Sequence, residues 1–210
     1  MKRSFYVRVT ESRGCTVTVS DEPWQGELAV TGEDAGTPER IVAAARRKLK
    51  LPLIIAETER LLLRELCMED LAALCALPLT EAERELLGPQ AAGLFEEACL
   101  RSYIEYQYSF FGYGIWAVLR RDTGALAGLC GFSPGEPPEL GYCIGRDYRR
   151  LGYATEACRA AFRYAEQELG FTEVCVRIRR DNTASLAFCE KLRPALRDDS
   201  PSLQSRFFIL

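Results

Sequence analysis

The segment from residue 139 to 178 constrains the fold more than any other. It reads ELGYCI, then GRDYRRLGYATEACRAAFRYAEQELGFT, then EVCVRI. The first and last pieces are short apolar runs of strand type. Between them Ala154, Ala157, Cys158, Ala161 and Ala165 recur at helical spacing. Strands joined through a helix cannot form a hairpin, so these two run parallel through a crossover. The fold class is therefore mixed α/β, with ligand chemistry expected where ELGYCI ends.

That end carries an unusual run, Arg149, Arg150, Leu151, Gly152, Tyr153, Ala154 and Thr155. A helix start leaves backbone N–H groups unpaired and carries partial positive charge. Gly152 lets a ligand oxygen approach the backbone, Ala154 is small, and the two arginines add charge. Together they describe a site for a di-anion such as a pyrophosphate. The competing reading is a plain turn into an amphipathic helix. Neither the P-loop nor the G-x-G-x-x-G spacing is present.

Residues 1–52 differ from the rest. FYVRVT and CTVTVS alternate with strand period and predict a hairpin, ELAV a third short strand, and IVAAARRKLK a short helix. They read as an appended segment of unassigned role, followed by a domain over 53–210. There, RLLLREL predicts a strand, and MEDLAALCAL and EAERELLG short helices. QAAGLFEEACLRSYIEYQYSFF predicts one longer helix, and YGIWAVLRR-DTG-ALAGLCGF a hairpin. TASLAFCEKL predicts a helix capped by Asp181 or Asn182 and ended by Pro194, and QSRFFIL a closing strand.

The chain has 210 residues and a formal net charge of −3, so no bulk basic field favours nucleic acid. No apolar run approaches the roughly 20 residues of a membrane span, and the start lacks a signal-peptide core. A cytoplasmic protein is expected, with neither nucleic acid nor membrane as partner. There is no histidine, which removes Ser-His-Asp and Cys-His hydrolases and histidine-ligated metals. The nine cysteines are scattered without a C-x-x-C pair, which argues against a disulfide framework or a zinc site, and no metal is expected.

Arg149-x-x-Gly152-x-Ala154, between a strand and a helix, resembles the phosphate loop of the GNAT superfamily of N-acetyltransferases. AETERLLLREL with MEDLAAL, ALAGLCGF with PELGYCI, and Asn182-x-x-Ser185 continuing to Glu190-Lys191-Leu192 resemble segments of its RimJ/RimL-type branch, in order, over residues 54–210. The resemblance implies a mostly antiparallel sheet with one parallel, splayed strand pair flanked by helices. It also implies acetyl-CoA as donor and an amine as acceptor, a protein N-terminus or a small molecule, attacking the thioester directly. The backbone of Tyr142, Cys143 and Ile144 would pair with the pantetheine arm, Arg150 to Thr155 would cradle the pyrophosphate, Asn182 would bond the pantetheine, and Ser185 would sit near the thiol.

A lysine-like amine is neutral in only about one molecule in 2,000 at pH 7, so a base helps. Glu139 is the leading candidate, ahead of Glu105 and Tyr103, and a backbone N–H near Cys143 is a candidate oxyanion donor. Many members of the family carry a tyrosine seven residues after the asparagine, as acid for the leaving thiolate; here that position is Cys189. Ser185 or Cys189 itself would hydrogen-bond the sulfur instead. Tyr103, Tyr106, Tyr108, Phe110, Phe111 and Tyr113 either line the acceptor side or pack the core. The alternative function is a catalytically weak acyl-CoA-binding or regulatory domain of the same fold, and the chain is expected to be a monomer or a homodimer.

Overall fold

The computed structural model describes residues 4–11, 15–20, 28–31, 46, 51–85, 87–88, 91–190, 192, 195–197 and 203–210. The chain divides into two compact units, Met1–Leu53 and Ile54–Leu210. In the first, β1 (Ser4–Glu11) pairs antiparallel with β2 (Cys15–Ser20) on one side and β3 (Leu28–Thr31) on the other. The predicted hairpin and third strand are present. Of IVAAARRKLK only Arg46 is described, in helical conformation, and the rest of that expectation lies outside the described residues.

The second unit begins with β4 (Ile54–Glu57) and β5 (Leu61–Glu65), a hairpin where the sequence pattern showed one strand. Its turn is fixed by Thr58, whose backbone N–H donates to the Leu61 carbonyl at 2.9 Å and whose Oγ1 accepts from the Leu61 N–H at 2.9 Å. Four residues with an irregular register offer too little alternation for β4 to be read from sequence. A 3₁₀ turn (Met68–Asp70) leads into α1 (Leu71–Ala76), and α2 (Glu81–Glu85) follows.

The long helix expected up to Phe111 is shorter and interrupted. Residues 91–96 form turns, α3 runs Glu97–Ser102, a π-turn covers Tyr103–Gln107, and α4 is Tyr108–Phe111. Two tyrosines account for the interruption. In an α-helix, residues five apart stand about 140° apart, whereas i→i+5 bonding brings them to one side. Here Tyr103 and Tyr108 both reach the start of the next strand. The Ile115 N–H donates to Tyr103 Oη at 2.7 Å, and Tyr108 Oη donates to the Ile115 carbonyl at 2.5 Å while accepting from the Leu66 N–H at 3.0 Å.

β6 (Ile115–Arg120), β7 (Leu126–Ser133) and β8 (Glu139–Ile144) then meander, and α5 (Tyr153–Gln167) crosses over to β9 (Glu173–Arg179). α6 (Thr183–Glu190), β10 (Ala195–Arg197) and β11 (Leu203–Ile209) close the unit. Pro194 lies outside the described residues, and β10 was not visible in the sequence pattern. Among the described residues the sheet has eight strands in the order β10-β11-β9-β8-β7-β6-β5-β4. Neighbours are antiparallel except β8 and β9, which are parallel. All eight residues of β7 are buried, so it reads as a continuous apolar run rather than an alternation. Trp116 and Phe132, both fully buried, meet edge to face at 5.8 Å in this core.

Candidate active site

Three consequences of the crossover build the site: a loop at the end of β8, the start of α5, and a gap beside β8. Among the described residues, β8 and β9 share one register pair, Glu139 with Cys175, next to a bond from the Cys175 N–H to the Pro138 carbonyl at 2.9 Å. Beyond Glu139 the parallel strands part. On its other side β8 pairs with β7 as far as Ile144. The β8 edge facing β9 thus runs without a ladder from residue 140 to 144, a span of about 17 Å at strand rise.

At the far end of the gap, the loop turns through Arg150 at φ 62° and Gly152 at φ 84°. A left-handed arginine costs roughly 1–2 kcal/mol, and such strain concentrates at ligand-binding turns. α5 starts immediately after Gly152 with no side-chain cap. Its first N–H groups are therefore turned outward together, beside the small Ala154. Arg149 is engaged elsewhere: its Nε donates to the Ile144 carbonyl at 2.9 Å and a terminal nitrogen pairs with Glu83 Oε1 at 2.7 Å. It fastens the loop to β8 and α2. Tyr153 is buried, Thr155 half-buried, and Leu151 and Arg150 are exposed.

A second arginine, which the sequence pattern did not single out, reaches this turn. Arg60, from the β4–β5 turn, donates from Nη1 to the Leu151 carbonyl at 2.8 Å. Its Nε and Nη2 grip Glu156 Oε2 at 2.7 and 2.5 Å, its ring neighbour is Tyr153 at 4.9 Å, and its Nη2 lies 3.3 Å from where a Gly152 Cβ would stand. Glu156 Oε1 also accepts from Thr58 Oγ1 at 2.6 Å and the Arg60 N–H at 3.0 Å. Burial pushes the Glu156 carboxyl up, but these donors outweigh it and hold it below the usual range. Nothing local marks the clamp, since Arg60 and Glu156 lie 96 residues apart. The only sequence signal is a charged pair at the end of an apolar strand and in the first turn of a helix.

The gap between β8 and β9 is an open cleft lined by Leu140 and Tyr142 from β8, Val176, Arg177 and Ile178 from β9, and Asn182 and Ser185. Tyr142, Asn182 and Ser185 thus line one cleft. Asn182 caps α6: its Oδ1 accepts from the Ser185 N–H at 3.1 Å. Cys189, one turn after Ser185, is fully buried. Cys143 is buried, and burial first, then the Glu83 charge, pushes its thiol up to about 12. Glu139 stands at the vertex where the strands part. Its carboxyl is raised by burial, against the opposing pull of Arg177 at 3.2 Å.

Among the weaker candidates, Tyr103 is a core residue bonded to Ile115, and Glu105 is exposed. The aromatic group divides: Tyr103 and Tyr108 pack the core, whereas Tyr106 and Phe110 are 69% and 81% exposed. Tyr113 bridges, stacking edge to face on Phe171 at 5.1 Å.

The model of the acetyltransferase (GNAT) domain matches residues 60–193. The Bacillus subtilis (strain 168) protein YkkB is 30% identical over 143 residues, covering 64% of this chain and 81% of YkkB. The N-acetyltransferase YoaA of the same organism is 28% identical over 137 residues, covering 62% of this chain and 77% of YoaA. Among solved structures, RimL, a ribosomal L7/L12 alpha-N-protein acetyltransferase, superimposes with a TM-score of 0.61 at 16% identity over 76% of this chain and 96% of its own. An acetyltransferase from Agrobacterium tumefaciens str. C58 gives a TM-score of 0.58 at 23% identity, covering 74% of this chain and 94% of the other. With its splayed parallel pair, its uncapped helix start after Gly152, and a family match over most of the second unit, this chain belongs to the GNAT family of acetyltransferases.

Proposed function

We propose that the chain moves an acetyl group from acetyl-CoA to a primary amine, on a protein N-terminus or a small molecule, by direct attack of the amine on the thioester. The observation that carries this reading is the continuous path from the uncapped N–H groups of α5, along the unladdered β8 edge, to Glu139. RimL has been solved in complex with coenzyme A, which supports the choice of donor.

In this reading the backbone from Arg150 to Thr155 holds the pyrophosphate oxygens, with Arg149 and the Arg60–Glu156 clamp fixing the loop's shape. Left-handed Gly152 suits that task because any side chain there would crowd both the anion and Arg60. Tyr142, Cys143 and Ile144 offer backbone groups to the amide-bearing pantetheine arm. Asn182, with Oδ1 committed to the α6 cap, offers its amide N–H donors from the opposite wall.

At the vertex, the raised Glu139 carboxyl takes a proton from the incoming ammonium, directly or through water. Its elevation brings it nearer in basicity to an amine than an ordinary carboxylate. Holding amine and thioester together contributes most of the remaining acceleration. The same reading keeps the chain in the cytoplasm, where its thiols stay reduced.

The test is thiol release from acetyl-CoA against a panel of N-terminal peptides and small amines. Acceptor-dependent coenzyme A formation is expected. Tight acetyl-CoA binding with no turnover on any acceptor would instead favour an acyl-CoA-binding domain.

A further inference from the structure

The Tyr142 hydroxyl oxygen is shielded from solvent and, among the described residues, meets no hydrogen-bond partner at normal distance and angle. A buried hydroxyl left in this state is costly, and proteins rarely keep one that nothing completes. Its surroundings are specific. The ring packs on Phe188 of α6 with centroids 4.8 Å apart, and the Ser185 hydroxyl and Cys189 thiol, one turn apart on the same helix, are its polar neighbours, close enough to act on its proton but not at normal hydrogen-bond geometry. Tyr142 also lines the cleft together with Asn182 and Ser185.

Position 189 is where many GNAT proteins place a phenol on this helix, and here it holds a fully buried cysteine. The strand opposite brings the Tyr142 phenol beside this position and Ser185. We propose that Tyr142 is a catalytic residue, its hydroxyl donating a hydrogen bond to the thioester sulfur and to the thiolate that forms there. This rests on the acetyl-CoA reading above.

Burial pushes the phenol well above its ordinary range, so it keeps its proton and acts as a fixed donor rather than as an acid. The amine lone pair forms the C–N bond, and the carbonyl π pair moves to oxygen. As the carbonyl re-forms, the C–S pair leaves on sulfur, where the Tyr142 O–H meets the growing charge. Glu139, having passed the ammonium's proton on to water, takes the second proton from the nitrogen of the tetrahedral adduct, and the thiolate takes up a proton from water as coenzyme A departs. A donor that strengthens as charge develops lowers the barrier without tightening ground-state binding.

The experiment compares wild type with Tyr142→Phe, which preserves the ring and its contact with Phe188. Loss of kcat of at least tenfold, with KM for acetyl-CoA within twofold, is expected on the best amine of the panel. Because the hydroxyl makes no hydrogen bond of normal geometry among the described residues, the melting temperature of the variant should equal or exceed that of wild type.

A second readout needs no acceptor. At a pH of about 8.5, where a thiol is half ionised, wild type should bind coenzyme A several-fold more tightly than desulfo-coenzyme A, and Tyr142→Phe should bind the two equally. Unchanged kcat, a variant that keeps the preference for the sulfur, or a lowered melting temperature would overturn the assignment. Failure of the wild type to bind either ligand would instead overturn the acetyl-CoA reading itself.

Discussion

Replacing Gly152 by alanine tests the left-handed turn that opens α5. The residue sits at φ 84° with ψ near zero, a left-handed conformation that costs a non-glycine residue about 1–2 kcal/mol. A new Cβ would also stand 3.3 Å from Arg60 Nη2. That atom cannot retreat freely, because it is drawn against Glu156 Oε2 at 2.5 Å. The Arg60 side chain is 44% exposed, so solvent screens the pair and yielding costs only about 0.5 kcal/mol more. The expected loss is therefore about 2 kcal/mol, or a fall of roughly 4–8 °C in melting temperature for a domain of this size.

Thermal melts followed by circular dichroism measure it, with Gly124→Ala as the reference. Gly124 is left-handed at φ 70° but has open space where its Cβ would be. It should show the conformational cost alone, and Gly152→Ala in an Arg60→Ala background should fall to the same value. Gly152→Ala should also weaken coenzyme A binding in calorimetry, since the outward N–H groups would shift. A melt within 1 °C of wild type would refute the argument that this turn is held left-handed.

Asp70 accepts from both terminal nitrogens of Arg64 at 2.7 Å and from the Cys67 N–H at 2.9 Å, with only 7% of its side chain exposed. Asp70→Asn leaves the half-buried Arg64 guanidinium without its countercharge and should cost at most about 3–5 kcal/mol in urea melts. Burial raises the Asp70 carboxyl, but the Arg64 and Cys67 donors outweigh it and hold it below its ordinary value of 3.8. Its stabilisation is thus present above that value and lost as pH falls through the lowered one, so Asp70→Asn should flatten the acid limb of an unfolding titration. Asn182→Ala should cost about 1 kcal/mol through loss of the α6 cap, with Asn182→Asp retaining stability; an alanine variant that melts like wild type would deny the cap. Alkylation at pH 8 followed by mass spectrometry should label exposed Cys75 and Cys99 first. Cys67 and Cys143, with thiols that burial pushes up to about 12, should lag, and prompt labelling of Cys143 would contradict its placement.

Much of the fold lay in the sequence because its signals are local. The run EVCVRIR became β9 without change of bounds, and the DTG turn joined two strands as read. The π-turn was not legible, because Tyr103 and Tyr108 adopt their places only when both can reach Ile115. β4 and β10 were missed for a related reason: four- and three-residue strands gain their stability from a partner already in the sheet rather than from their own pattern.

The site divides along the same line. The sequence by itself determined the strand–loop–helix run that carries Gly152 and the Asn182-x-x-Ser185 face, because these are contiguous segments whose spacing fixes their geometry. Tertiary structure alone decided what surrounds them. It turned Arg149 onto Glu83 instead of the cleft, brought Arg60 across 96 residues to clasp Glu156, and set the Tyr142 phenol beside Ser185 and Cys189. Such contacts arise from how separate elements pack, and a one-dimensional pattern records which residues are available for them but not which will meet.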